Sequence, residues 1–292
     1  MPTPETLSIG VIQLQNTGTV AGNLQKAETL IRDAVSKGAR IVVSPELIEH
    51  PYFCQQEDPK WFLTANEVGE GEGFSFFERL SKELGVVLSY SFFEKANQSY
   101  FNSLAIFDGD RGCHGIYRKS HIPDGPNYEE KFYFTPGDTG LRVFDTSQGK
   151  IGVGVCWDQW FPEVARDLAL QGAECILFPS AIGSEPSEPG MDSRSRWQKV
   201  MQGHAVANVI PVAASNRLGR EDGPGGGIEF YGSSFIADSS GELVYALGRD
   251  DPGYIVAHFD REQLAIDRAN WGFLRDRRPE LYRRLVSPAR KR

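Results

Sequence analysis

The four cysteines form no metal-binding or redox spacing: Cys54, Cys113, Cys156 and Cys175 lie far apart, and neither CxxC nor CxxxH occurs. At 292 residues this argues against a disulfide scaffold and leaves a structural zinc site without support. The five histidines are scattered, with no HxxxH or HxE pair. No apolar run approaches the ~20 residues that cross a bilayer, so no membrane partner is expected. Basic residues are in deficit, 31 Lys and Arg against 39 Asp and Glu, for a net charge of −8. With an isoelectric point near 5.3, that argues against a nucleic-acid partner, which needs a basic face. The one basic run, "LRDRRPELYRRLVSPARKR", reads as a solvated last helix and tail. The opening "MPTPETLSIG" lacks a basic segment followed by an apolar stretch, so no signal peptide is expected. A reduced, cytoplasmic, soluble protein is the expectation. Internal repeats, low-complexity segments and linkers are also missing, which predicts a single domain over 1–292.

Strand and helix signals alternate. "LSIGVIQLQ" (7–15) predicts a strand, and 23–38 a helix with Asn23 as N-cap and Gly38 as stop. "ARIVVSPE" then predicts a second strand, parallel to the first. After a helix near 74–84, two runs flanking "KANQ" predict a hairpin. "GIYRKSHIP" and "GKIGVGVC" read as strands separated by a long loop over 120–140. Helices follow at "PEVARDLALQG" and "DSRSRWQKVMQGHAVAN", and strands at "AECILFPS" and "VIPVAASN". Residues 228–260 read as a β meander, and "DREQLAIDRAN" as a last helix. The glycine-rich "EDGPGGGIEF" lacks the Lys-Ser/Thr of a phosphate cradle and reads as a mobile loop.

The chemistry gathers at strand ends, where α/β sheets place their sites. Glu46 ends the second strand, Lys119 a middle one, and Cys156 the strand before Pro162. Together, a thiol, a carboxylate and an ammonium make an acyl-transfer machine: nucleophile, base and oxyanion partner. Each alone has an ordinary structural reading, as a core thiol, a helix-start carboxylate or a surface strand end. A Cys–His arrangement with His121 or His204 is the rival, since such groups assemble through space.

The segments "SPEL", "YRKSHIPDGP" and "GVGVCWDQWFPE", in this order, resemble those of the nitrilase superfamily of carbon–nitrogen hydrolases. The resemblance extends to "EKFYFTPGDTG" and "PVAASNRLGRE" and covers nearly the whole chain. It implies a four-layer αββα sandwich with mixed parallel and antiparallel sheets, and no metal or organic cofactor. It implies that Glu46 is the general base, Lys119 steadies the tetrahedral intermediate and Cys156 is the nucleophile. Glu130 matches a second glutamate of the family better than its neighbour Glu129. The family's assembly implies a homo-oligomer, for which the C-terminal segment, about 261–292, offers contacts.

A finer match over "PYFCQ", "KSHIPDGPNYEEKFYFTPGDTG", "CWDQWFPE" and "AIGSEP" implies hydrolysis of N-carbamoylputrescine to putrescine, CO2 and ammonia, a step of polyamine synthesis from agmatine. The thiolate form of Cys156 is expected to be favoured by Lys119 and by the helix starting near Pro162. The Trp157 backbone N–H is the expected second oxyanion donor. The substrate's distal ammonium calls for a carboxylate, and Glu185 is expected to supply it, with Tyr52, Asp124 and Asp158 lining the pocket. An N-carbamoyl β-amino acid or an ω-amide is the alternative substrate; an acid would call instead for Arg194 or Arg196. Two further readings are a non-catalytic member of the fold and a redox thiol protein, for which Cys54, close in sequence to Glu46, offers a thiol near the site but no resolving pair.

Overall fold

The computed structural model describes residues 4–109 and 111–286. It begins with β1 (Thr6–Gln13), α1 (Val20–Ser36) and β2 (Ile41–Val43), and β1 and β2 pair in parallel as a strand–helix–strand unit requires. Thr19, not Asn23, caps α1, its hydroxyl accepting from Gly22 N at 3.2 Å. Asn23 sits inside the first turn because its side chain has tertiary partners, Thr17 N and Glu49 O. Next come α2 (Glu72–Leu84), the hairpin of β3 (Val87–Ala96) and β4 (Ser99–Asp108), and β5 (Gly112–Arg118). The loop predicted over 120–140 contains a short helix, α3 (Glu130–Tyr133).

The second half runs β6 (Arg142–Thr146), β7 (Gly149–Val153), α4 (Pro162–Leu170), β8 (Cys175–Ser180), α5 (Arg194–Asn208) and β9 (Val212–Asn216). It continues with β10 (Leu218–Glu221), β11 (Ile228–Tyr231), β12 (Phe235–Ala237), β13 (Leu243–Ala246), β14 (Gly253–Asp260) and α6 (Arg261–Trp271). The expected meander over 228–260 is not one sheet. β10 and β11 pair alone, β12 lies between β9 and β13, and β14 crosses to pair antiparallel with β1. The break falls at Gly232–Ser234, where two consecutive residues have positive φ, so an extended ladder cannot continue.

Two six-stranded sheets result, ordered β14-β1-β2-β3-β4-β5 and β13-β12-β9-β8-β7-β6. Their inner faces share one core, in which Ile9, Val11, Ile41 and Leu104 meet Val153, Leu177, Ala213 and Ile236. On the outer face of the first sheet lie α1 and α2, through Leu24, Ile31, Phe77 and Leu80. On the second lie α4 and α5, through Val164, Leu168, Trp197 and Met201. Helix, sheet, sheet, helix is the αββα sandwich expected, with parallel and antiparallel neighbours in both sheets. Among the described residues no helix is long and apolar enough to cross a membrane.

Candidate active site

Three loops at strand ends converge. Glu46 follows β2, and its backbone N–H reaches across to Ser180 O at the end of β8, joining the two sheets. Lys119 follows β5 and is pinned through its backbone: its N–H donates to Asn102 O, and its carbonyl accepts from Gly137. Gly137 is obligatory there, because a Cβ would lie 2.0 Å from the Arg118 carbonyl oxygen. Cys156 opens a 3₁₀ turn, Cys156–Trp160, three residues after β7.

The Cys156 backbone is strained, with φ +43°. Asp158 holds that turn. It is fully buried, and its carboxylate accepts from Val155 N (2.9 Å), His121 N (3.0 Å) and Tyr117 Oη (2.7 Å). The preceding Gly154 allows close packing, since a Cβ would meet the Phe178 ring at 2.6 Å.

The charged groups form one buried cluster. Lys119 Nζ donates to Glu46 Oε1 at 2.8 Å and to Glu130 Oε2 at 2.6 Å, and all three side chains are sealed from solvent. Asn102 Nδ2 also donates to Glu46 Oε1, at 2.7 Å. Glu46 Oε2 is buried and has no partner among the described residues. An unpartnered carboxylate oxygen in such a place is unfavourable unless it has a proton to receive. Tyr52 Oη donates to Glu130 Oε1 at 2.7 Å.

Burial opposes the Lys119 charge, but the Glu130 and Glu46 carboxylates outweigh it and hold the ammonium well above the usual lysine range. Burial also pushes the Glu130 carboxyl up, against the pull of Lys119, to about 7. The Cys156 thiol is pushed well up, by burial and by Glu46, with Lys119 opposing. Lys119 thus favours the thiolate as expected, but burial and Glu46 outweigh it. One ammonium does not offset burial and two carboxylates, and the intervening 3₁₀ turn keeps the start of α4 six residues away. A base acting in concert with attack supplies what the resting charge does not.

The raised Glu130 value has a measurable sign. A carboxyl with a higher pKa folded than unfolded makes the folded state less stable as pH rises from about 4.5 to about 7. Glu130→Gln removes that dependence. Measured by urea unfolding, the variant should gain on the parent by about 3 kcal/mol between pH 4.5 and pH 7.5. A constant difference across that range would show that Glu130 titrates normally.

Cys156 and Glu130 line a cavity of about 300 Å³ with Asp124, Tyr128, Trp157, Trp160, Ile182, Glu185, Ser193 and Arg196 among its other walls. Of the residues expected there, Glu185, Asp124 and Trp157 are present, and Arg196 is the arginine that reaches it. Tyr52 and Asp158 are not lining residues: one supports Glu130 and the other the Cys156 turn, each fully buried behind the wall. No acceptor takes the Trp157 N–H among the described residues, so that donor is available. Arg194 does not line the cavity. Glu129 lies partly exposed beside Glu130.

The histidine rival finds no support. His121 Nδ1 lies 2.7 Å from Asp158, with its ring stacked on Phe161, and His204 is bound to Gln159 O. Neither lines the cavity. Cys54 is buried near Glu130, its thiol also pushed up by burial, and it is not bonded to Cys156. Sequence reading missed Asn102, Tyr128 and Trp160. Asn102 left a signal, as a polar residue inside the apolar strand "YFNSLAIF".

A carbon-nitrogen hydrolase family model matches residues 8–268. An N-carbamoylputrescine amidase of Solanum tuberosum is 50% identical over 285 residues, 96% of this chain and 95% of that protein. A citrullinase of Francisella tularensis subsp. tularensis is 45% identical over 280 residues, covering 96% of this chain and 98% of its own. The crystal structure of a carbon-nitrogen hydrolase from Helicobacter pylori G27 superposes with a TM-score of 0.91 at 40% identity, over 98% of this chain and all of that one.

Proposed function

Because the chain belongs to the carbon-nitrogen hydrolase family, we propose that its cavity hydrolyses the ureido group of N-carbamoylputrescine. The observation that carries this is the joint lining of one cavity by Cys156 and by two carboxylates, Asp124 and Glu185. A ureido carbon at the thiol leaves a distal ammonium to meet an anionic wall. Glu185 is half-buried, and burial, with Glu188 beside it, pushes its carboxyl up, a shift that a bound cation would oppose.

In this reading Cys156 Sγ attacks the ureido carbon while its proton passes to Glu46 Oε2. The carbonyl oxygen becomes an oxyanion, met by the Lys119 ammonium and the Trp157 N–H. The C–N bond to the terminal nitrogen breaks, and Glu46 returns the proton to the departing ammonia. Water, deprotonated by Glu46, then attacks the thiol-linked carbamoyl group and releases Cys156. The N-alkylcarbamate so formed loses CO2 to give putrescine. Glu130 holds Lys119 from the other side, and no cofactor enters. The reaction belongs to polyamine synthesis from agmatine, in the cytoplasm.

Arg196 favours a second reading. It lines the cavity, and so do Ser193 and Trp160, whose Oγ and Nε1 are buried without partners among the described residues. These donors suit a carboxylate, which N-carbamoylputrescine lacks. A δ-ureido α-amino acid such as citrulline carries the same ammonium with a carboxylate on the same carbon.

Ammonia release from N-carbamoylputrescine, citrulline and N-carbamoyl-β-alanine, supplied side by side, separates the readings. Preference for the diamine supports the first and preference for citrulline the second. Preference for the β-amino acid removes Glu185 as selector. Glu185→Ala should then raise KM for the diamine ~10–100-fold while changing turnover of a neutral alkylurea little. Equal loss on both would remove Glu185 from the ammonium role.

Assembly as a homo-oligomer is part of the proposal. Leu170 on α4, Ile266 and Trp271 on α6, and Leu281 and Leu285 beyond it are exposed apolar side chains that subunit contacts would cover. Residues 287–292 of the expected contact segment lie outside the described residues.

A further inference from the structure

Arg217 lies between β9 and β10, is buried, and spends its whole guanidinium on the segment after β2 and on Glu221 at the end of β10. Its Nε donates to Glu46 O at 3.1 Å, and its terminal nitrogens reach Leu47 O, His50 O (2.8 Å) and Glu221 Oε1 (2.8 Å). Glu221, also buried, uses its other oxygen to accept from Tyr52 N at 2.6 Å. Tyr52 in turn holds Glu130, Glu130 holds Lys119, and Lys119 holds Glu46. The six residues therefore close a ring: Arg217, Glu46, Lys119, Glu130, Tyr52, Glu221. Two of its members belong to no part of the chemistry described above.

The backbone explains why such a clamp is required. Leu47 has φ +47°, a conformation that side chains with a Cβ rarely adopt. It turns the chain immediately after Glu46 and persists only if its surroundings over-determine it. Three carbonyls around that turn, those of Glu46, Leu47 and His50, point at one guanidinium. No other side chain offers a planar fan of donors that can hold three carbonyls and a carboxylate together.

We propose that the Arg217–Glu221 pair is the positioning device of the active site, setting Glu46 through its backbone and Glu130 through Tyr52. The pair touches no reacting atom. It fixes where the free Glu46 Oε2 stands relative to the Cys156 thiol. The inference rests on the assignment of Glu46 as base.

The test is Arg217→Lys, which keeps the charge but reaches one or two acceptors instead of four. Displacing a catalytic group by about 1 Å costs ~10²-fold in rate. With whichever ureide the parent turns over best, kcat should fall ~30–100-fold while KM changes by less than ~3-fold. The readout that a merely structural role would not move is coupling to Glu46. Placed in Glu46→Gln, Arg217→Lys should lower the residual rate by less than ~10-fold, because the base it positions is gone and only the hold on Glu130 through Tyr52 remains. Glu221→Gln, which keeps volume and removes the ion pair, should show the same split and the same coupling, and serves if the lysine variant does not fold. Unchanged kcat in either folded variant, or the same fold-loss with and without Glu46, would overturn the proposal. A parent inactive on every ureide would instead count against the assigned function.

Discussion

Cys156→Ser should lower ammonia release by about 10⁶-fold, the scale seen when a nucleophile is removed from a machine whose parts act together. The replacement changes one atom. It leaves the Asp158 hydrogen bonds to Val155, His121 and Tyr117 in place, and it asks nothing new of a backbone already at φ +43°. Melting temperature should therefore stay close to the parent's. The loss follows from the resting state of the sulfur. Burial and the neighbouring Glu46 disfavour the thiolate, so in the proposed mechanism the proton leaves as the bond forms. A thiol gives up that proton far more readily than a serine hydroxyl in the same place. The check is steady-state ammonia release with mass measurement after alkylation. Parent protein should be labelled at Cys156 and protected by substrate, whereas fully buried Cys54 and Cys175 should stay unlabelled. Serine variant retaining more than about 1% activity would mean that another group attacks.

That thiol shows where sequence reading stops. The strand–helix pattern locates Glu46, Lys119 and Cys156 at the ends of β2, β5 and β7, because strand ends are written in local apolar runs and their breaks. The αββα layering is legible for the same reason. The ionisation of Cys156 is not local. It is a sum over burial, two carboxylates and an ammonium from three separate loops. Tyr52 and Asp158 are near misses of the same kind. Their positions beside the site are legible, but whether a polar tip faces the cavity or supports a neighbour from behind is decided by tertiary packing. The meander fails for a physical reason too: "GELVYAL" and "GYIVAHFD" read alike as strands, yet β14 leaves β13 to cover the open edge of β1. Arg217, in "SNRLGRE", reads as an ordinary loop arginine until the carbonyls it holds are seen.

Lys119→Met carries the other large effect, on two axes at once. Removing the ammonium takes away the proposed oxyanion partner, which should lower kcat by ~10²–10³-fold. It also leaves Glu46 and Glu130 facing each other in a sealed cluster without their shared cation. Breaking one side of a buried ion pair typically destabilises by 3–5 kcal/mol, on the order of a third of a domain's stability. The pH dependence separates this from simple loss of packing, since methionine replaces most of the lysine's volume. At the alkaline end Glu130 is driven to ionise beside Glu46 without the shared cation, and destabilisation should be greatest. On acidification a proton enters the cluster. Glu130 already takes one up near pH 7 in the parent, and without Lys119 its uptake begins higher still. The deficit relative to the parent should therefore shrink as pH falls from 8 to 5. Urea unfolding of both proteins at pH 8, 6.5 and 5 measures it. A deficit independent of pH would show that Lys119 serves the fold by filling space, and that the charge cluster is not what holds these three loops together.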